Sequence, residues 1–263
     1  MNRVEQNVAT AAVTARMGLT DRWELNARVP YLYNATATSS SVASGSNAQL
    51  LSTGASNTAT GDIQAGASYQ VNAGLEDWPI FIGNLTLKSA TGVSPYDVPI
   101  YTTNDPNGGF LAGIQRRTAT GTGFYSFTPS LTVIYPTAPG TLFANLLYTN
   151  SIGRRVQLRS ASGGPSMTLD LTPGQVVGLT AGIGFALNER ASLSLSYQQQ
   201  HVFEASQNGQ VLRGSAYNFG SFNFGVGYEL SERTRVNANV AIGLGPNTPA
   251  ARLLIEVPYR FSL

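Results

Sequence analysis

The stretch 18-GLTDRWELNARVPYLY-33 carries two patterns at once. Trp23, Leu25, Ala27, Val29, Tyr31 and Tyr33 form an unbroken apolar and aromatic row, and Arg22, Glu24, Asn26 and Arg28 stand between them. Side chains of an extended strand alternate between its two faces, so a period of two puts one row on each side. A strand built this way meets two solvents, one of them apolar.

The same period recurs along the chain. Val13, Ala15, Met17 and Leu19 precede the stretch; Ile63, Ala65, Ala67, Tyr69 and Val71 follow it; further alternating rows cover 81–88, 125–135, 177–187, 193–197, 222–228, 236–244 and 253–261. Ser, Thr, Asn, Gln and Gly fill the intervening positions. The strand at 142–149 departs from the rule, with Phe143 and Leu147 on the polar side. Eleven strands result. Composition agrees: 11% of the 263 residues are charged, against about 25% in soluble domains. No run approaches the roughly 18 apolar residues of a membrane helix. The predicted fold is all-β, a transmembrane antiparallel up-and-down β-barrel forming a single domain over 1–263.

The connections sort into two kinds. Short turns at Thr20-Asp21, Gly74–Trp78, Pro136–Gly140, Asn188–Arg190 and Ser231–Arg233 alternate with long Ser/Thr/Asn/Gly-rich segments at 41–60, 94–120, 158–173 and 204–214, followed by a brief one at Gly245–Ala250. Outer-membrane barrels place turns in the periplasm and long loops outside, which points to the bacterial cell outer membrane. Strand 8–19 and strand 251–261 both run toward the turn side. Because single-chain bacterial barrels have an even strand count, a twelfth strand and a signal peptide are expected ahead of Met1, with an open seam between 8–19 and 251–261. An extra extended piece at Phe110–Gln115 is the alternative.

Face and height then assign roles. Trp23, Trp78, Tyr135, Tyr228, Tyr259 and Phe261 fall toward the turns and Tyr31 and Tyr33 toward the loops, as membrane girdles would. Arg16, Arg22, Glu24, Asn26, Arg28, Lys88, Arg235, Asn237, Asn239, Glu256 and Arg260 fall on the polar register and are candidates for pore lining, with Glu24 and Glu256 expected to pair with the arginines around them. Arg116, Arg117, Arg154, Arg155 and Arg159 lie near the outer rim and read as solvated.

Other chemistry finds little support. The net charge is +2 with scattered arginines, which gives no nucleic-acid footprint. There is no cysteine, hence no disulfide frame and no thiolate. A lipid-modifying barrel would need a serine two residues after its histidine, and Phe203 stands there beyond His201. No catalytic residue, metal or cofactor is assigned. Asn34-Ala-Thr and Asn84-Leu-Thr match the glycosylation sequon, a pattern short enough to arise by chance.

The motif G-L-T-D-R-x-E-L-x-x-x-V-P-Y-x-Y at 18–33 resembles the hallmark of a bacterial outer-membrane family, the meta-pathway-of-phenol-degradation proteins. Within that group, 121-GTGFYSFTPSLTVIYPTAPGTLFANLLYT-149 and 254-LIEVPYRF-261 look most like the barrel of the functional-amyloid (Fap) secretion channel. The resemblance implies a twelve-stranded barrel, a homo-trimer as in that relative, and passage of unfolded amyloid subunits or small hydrophobic compounds. It also implies the lipid bilayer with its lipopolysaccharide, the barrel-insertion machinery, and a transported solute or polypeptide as partners. The expected function is an outer-membrane channel that passes a solute or an unfolded polypeptide through a polar lumen. Porin-like uptake of hydrophobic or aromatic compounds, an adhesin barrel and a lipid-modifying enzyme are the alternatives.

Overall fold

The computed structural model describes residues 3–44, 47–73, 78–104, 110–158, 166–245 and 248–261, and every regular element among them is a strand. β1 (Arg3–Gly18) and β2 (Trp23–Ser44) are joined by a turn in which Thr20 Oγ1 accepts from Trp23 N at 3.2 Å and Arg22 N at 3.3 Å. A threonine hydroxyl that closes on the backbone just ahead of it mimics a backbone turn. β3 (Asn47–Thr60) and β4 (Gln64–Gln70) are successive partners of β2, taking Tyr31–Ser44 and Trp23–Arg28. They make one course of wall, interrupted at 61–63.

The remaining strands are β5 (Ile80–Lys88), β6 (Ile100–Asn104), β7 (Phe110–Gln115), β8 (Ser126–Pro136), β9 (Thr141–Ser151), β10 (Arg154–Leu158), β11 (Met167–Thr172), β12 (Val176–Ala186), β13 (Ala191–Val202), β14 (Ser206–Gln207), β15 (Gln210–Val211), β16 (Tyr217–Ser231), β17 (Thr234–Leu244) and β18 (Ala251–Glu256). The wall runs β1-β2-β4-β5-β8-β9-β12-β13-β16-β17-β18, antiparallel throughout. That is the eleven-strand count of the alternation. The extended piece at Phe110–Gln115 exists, but it pairs with β6 in a separate two-stranded sheet and adds nothing to the wall. Among the described residues β1 pairs with β2 and β18 with β17, so the sheet has its edges where the seam is expected.

Several expected loops are β structure. Residues 41–44 and 47–60 continue the β2–β3 hairpin, and β10-β11-β14-β15 form a four-stranded sheet on the loop side. Alternation could not signal these pieces: along 41–60 neither parity of the sequence is consistently apolar, and β10 and β11 bury one apolar residue each, Val156 and Leu169. Asn208 (φ 52°) and Gly209 (φ 77°) form the two-residue link from β14 to β15, the conformation a tight hairpin demands. The last strand also ends earlier than expected, at Glu256. Pro258 has no N–H for the ladder, yet the chain stays beside β17 through Arg260 N to the Arg233 carbonyl at 2.8 Å and a Thr234–Tyr259 bridge. Of the turn at Gly74–Trp78, residues 74–77 lie outside the described set; Asn72 closes its base, donating to the Pro79 carbonyl at 2.7 Å and accepting from Phe81 N at 2.8 Å.

Register unites the faces across the wall. Following direct partners from Phe81 gives Val133, Ala144, Ala181, Tyr197, Phe222 and Ile242, an apolar band across six strand boundaries. Starting from Ile82, the next residue, gives Thr132, Asn145, Thr180, Gln198, Ser221 and Gly243. The apolar band is the more exposed one: Phe222 is 51% and Phe224 47% accessible, while Ser221 and Asn223 beside them are each 8%. This inverts a soluble core, and lipid is the solvent that makes it stable. Trp23 and Tyr33 are ten residues apart; at about 3.4 Å per residue they stand about 34 Å apart along the strand. A tilt of about 40° reduces that to about 26 Å, close to the ~25 Å band of such barrels.

Leu195→Lys, on the outward face, is expected to cost roughly 2–4 kcal/mol in urea titrations of the lipid-reconstituted protein, and Gln198→Lys, on the inward face, under about 1 kcal/mol. Equal costs would refute the assignment of faces.

Candidate lumen and pore lining

The inner face carries most of the expected pore-lining residues. Glu24, Asn26 and Arg28 alternate inward on β2, and Arg16 faces Asn26 from β1. Arg28 stands opposite Thr14 and Gln64, and Gln64 opposite Lys88. At the other end of the sheet Asn237 faces Gly227 and Glu256, Asn239 faces Gly225 and Leu254, and Arg235 faces Glu229 and donates to Ser192 Oγ at 2.7 Å. Arg22 and Arg260 lie at turns, exposed, where alternation no longer sets direction.

The mixed ion pairing expected around Glu24 and Glu256 is not what register delivers. Glu24 is opposite Gly18 and Ser68, and Glu256 opposite Asn237. Among the described residues the ion pairs are Lys88–Asp62, Arg154–Asp97 and Arg155–Asp170. The inward arginines of β1, β2 and β17 therefore face neutral partners or, for Arg235, a carboxylate with which it forms no ion pair.

Phe143 and Leu147 do point inward, and the structure shows what receives them. Phe143 lies opposite Ile134 and Gly182, and Leu147 opposite Ser130 and Gly178. A Cβ on Gly182 would come 2.6 Å from Phe143 Cζ and 2.5 Å from the Leu195 carbonyl. The small residues of β12 are thus sockets for bulky side chains of β9. With Ile80 opposite Ile134, they give the middle of the sheet an apolar inner patch, on the side away from the arginine-bearing ends.

Residues outside the sequence-based set build the tightest cluster. Asp62, 7% exposed, accepts from Lys88 Nζ at 2.9 Å, Thr122 N at 2.9 Å, Thr122 Oγ1 at 3.0 Å and Gly92 N at 3.1 Å. Lys88 also donates to the Phe124 carbonyl at 3.0 Å and to Thr122 Oγ1. Asp62 sits in an interruption between two strands and its partners are 26 to 60 residues away, so periodicity gives no hint of it. Arg154, expected to be solvated, instead donates to Ser94 Oγ at 2.7 Å and lies over Phe124 and Tyr96, 5.6 and 5.9 Å from the ring centroids. Arg155 meets Asp170 at 3.1 Å with both side chains open to solvent, a contact of little energetic weight. Arg116 covers the Tyr101 ring at 5.1 Å and Arg117 is exposed; Arg159 lies outside the described residues.

All eight expected girdle residues are exposed, from Tyr135 at 37% to Phe261 at 78%, and Trp23 packs on Tyr69 at 4.8 Å. His201 acquires a polar partner, Asn218 Oδ1 at 2.8 Å, but an edge of Phe203 fills its other side at 4.6 Å. Among the described residues the hydrogen-bond partner of the imidazole is this amide oxygen, not a hydroxyl. Both sequon asparagines are engaged inside the wall: Asn34 is buried, and Asn84 donates to Thr132 Oγ1 at 3.1 Å.

No family model matches the chain. Its fold is similar to the crystal structure of an outer membrane channel from Pseudomonas putida F1, with a TM-score of 0.63 over 97% of this chain and 83% of that one, at 14% sequence identity. The architecture is that of an outer-membrane barrel.

Gly182→Ala is expected to destabilise the barrel by about 1–3 kcal/mol, because a backbone carbonyl stands in the way. Gly178→Ala meets side-chain atoms of Gln200 and Leu147 at 2.9–3.1 Å and should cost distinctly less in the same urea titration.

Proposed function

We propose that this chain is a passive channel of the bacterial outer membrane, passing a small solute through the barrel lumen. The observation that carries the reading is the inverted wall, apolar outside and polar inside, with unpaired arginines on the inner register. The alternation of charged and apolar inner regions favours a solute with an apolar body and an anionic group, such as an aromatic carboxylate. Arg16, Arg28 and Arg235 would attract the charge, and Ile134, Phe143 and Leu147, in the middle of the sheet, would take the apolar body. This is a form of the hydrophobic-compound uptake implied by the family resemblance. Passage of an unfolded polypeptide is less favoured, because residues 118–124 lie against the inner wall and occupy part of its outer half.

In a planar bilayer the purified protein is expected to give stable ion steps that favour anions. Arg28→Gln should lower the anion-to-cation permeability ratio about twofold, and benzoate should reduce the current of the unaltered protein. Absence of steps would refute the channel; an unchanged ratio would refute the charged wall.

A further inference from the structure

The geometry points to residues 118–124 as a fixed selectivity segment narrowing the outer half of the lumen, with Asp62 as the residue that positions it, an inference that rests on the channel reading. Between β7 and β8 the chain returns along the inner surface of the wall. Its side follows from register: Asn34 shares the inward row of Glu24 and Arg28, Asn57 is its direct partner, and Lys88 is opposite Ser126. Those inward groups are the ones that grip it. Asn34 Nδ2 donates to the Ala119 carbonyl at 2.9 Å, Asn57 Nδ2 donates to the Thr118 carbonyl at 2.9 Å, and Thr118 Oγ1 donates to the Asn34 carbonyl at 2.8 Å. Thr120 Oγ1 donates to the Thr60 carbonyl at 2.9 Å.

Burial follows the segment. Thr118, Thr120, Asn34, Asp62 and Ser126 are all under 10% exposed, whereas most inward residues of the wall elsewhere are half-exposed. The attachment is also built into the backbone. A Cβ on Gly92 would lie 2.6 Å from Gly121 Cα, so two chains approach here as closely as glycine permits, around a carboxylate that bonds both strands of the approach. Arg154 holds the same stretch from β10 through Ser94 and the Phe124 ring. A segment fastened to β2–β5 on one side and to β10 on the other has a set position, and the cross-section it leaves is a property of the protein rather than of a loop moving in solvent. Removing the Asp62 carboxylate takes the counter-charge from the half-buried Lys88 ammonium and the acceptor from two backbone N–H groups, and the segment loses its anchor.

The test uses the full chain, which contains no cysteine, so one introduced thiol reports alone. Ser126→Cys is placed in the unaltered protein and in Asp62→Ala, and labelling by a membrane-impermeant maleimide is read beside single-channel conductance; heat-dependent gel migration checks that each barrel is folded. The expected result is a protected thiol in the parent, a labelled one in Asp62→Ala, and unit conductance raised roughly twofold. A thiol that stays protected in Asp62→Ala overturns the anchor. Labelling without a rise in conductance overturns the narrowing. If the parent gives no steps at all, the channel reading fails and the narrowing with it, while labelling still decides whether Asp62 holds the segment. Should Asp62→Ala not fold, Lys88→Met removes the other half of the pair and is read the same way.

Discussion

Every backbone N–H and C=O that faces hydrocarbon has to find its partner inside the wall, because lipid offers neither donor nor acceptor. That constraint accounts for the simplest feature of the molecule: each wall strand is followed along the sheet by the next wall strand in the chain, antiparallel, with no crossover. Irregular backbone is allowed where water or protein can satisfy it. The interruption at 61–63 obeys this rule, since Gly61 N reaches the Pro30 carbonyl at 2.9 Å and the Ile63 carbonyl accepts from Ser89 N at 2.8 Å. The proline at 258 lies at the turn end of an edge strand, where a missing donor costs least.

With the ladder complete, side chains are left to satisfy two solvents and a curved wall. Curvature spreads the outer side chains and crowds the inner ones, which is why Ser, Thr, Asn and Gly dominate inside and aromatics outside. Phe143 and Leu147 are tolerated inside because β12 presents glycine at each of them. The neutral hydroxyls and amides bond along the inner surface, as in Thr128 with Thr149 at 2.8 Å and Asn145 with Thr132 at 2.8 Å. Arginines gather on the inner register near the sheet's two ends, and the apolar inner patch of Ile80, Ile134, Phe143 and Leu147 lies between them.

The loop side is organised by a different balance. There the chain makes a small core of its own, with Val98, Phe124, Val156 and Leu169 each at most 5% exposed. Polar groups buried with it are costly unless bonded, and Asp62, Thr118, Thr120 and Ser94 each have partners. The packing that brings Lys88, Asp62, Thr122 and Arg154 to one place also carries residues 118–124 onto the inner wall.

Alternation by itself determined the strands, their faces and the strand count, since a period of two is local and survives wherever one face must be apolar. It located Arg16, Glu24, Arg28 and Asn237 on the inner register for the same reason. It was silent where neither parity of the sequence is consistently apolar, so the hairpins at 41–60 and 204–214 read as loops. Partners across strands were also illegible: whether Glu24 meets an arginine or a serine depends on a register that local periodicity leaves free. The Asp62 cluster lay further out of reach, because its groups come from segments up to 60 residues apart and have no repeat to mark them. Tertiary structure alone decided that a long loop turns inward, since only folding brings Asp62 and Thr122 within hydrogen-bond distance.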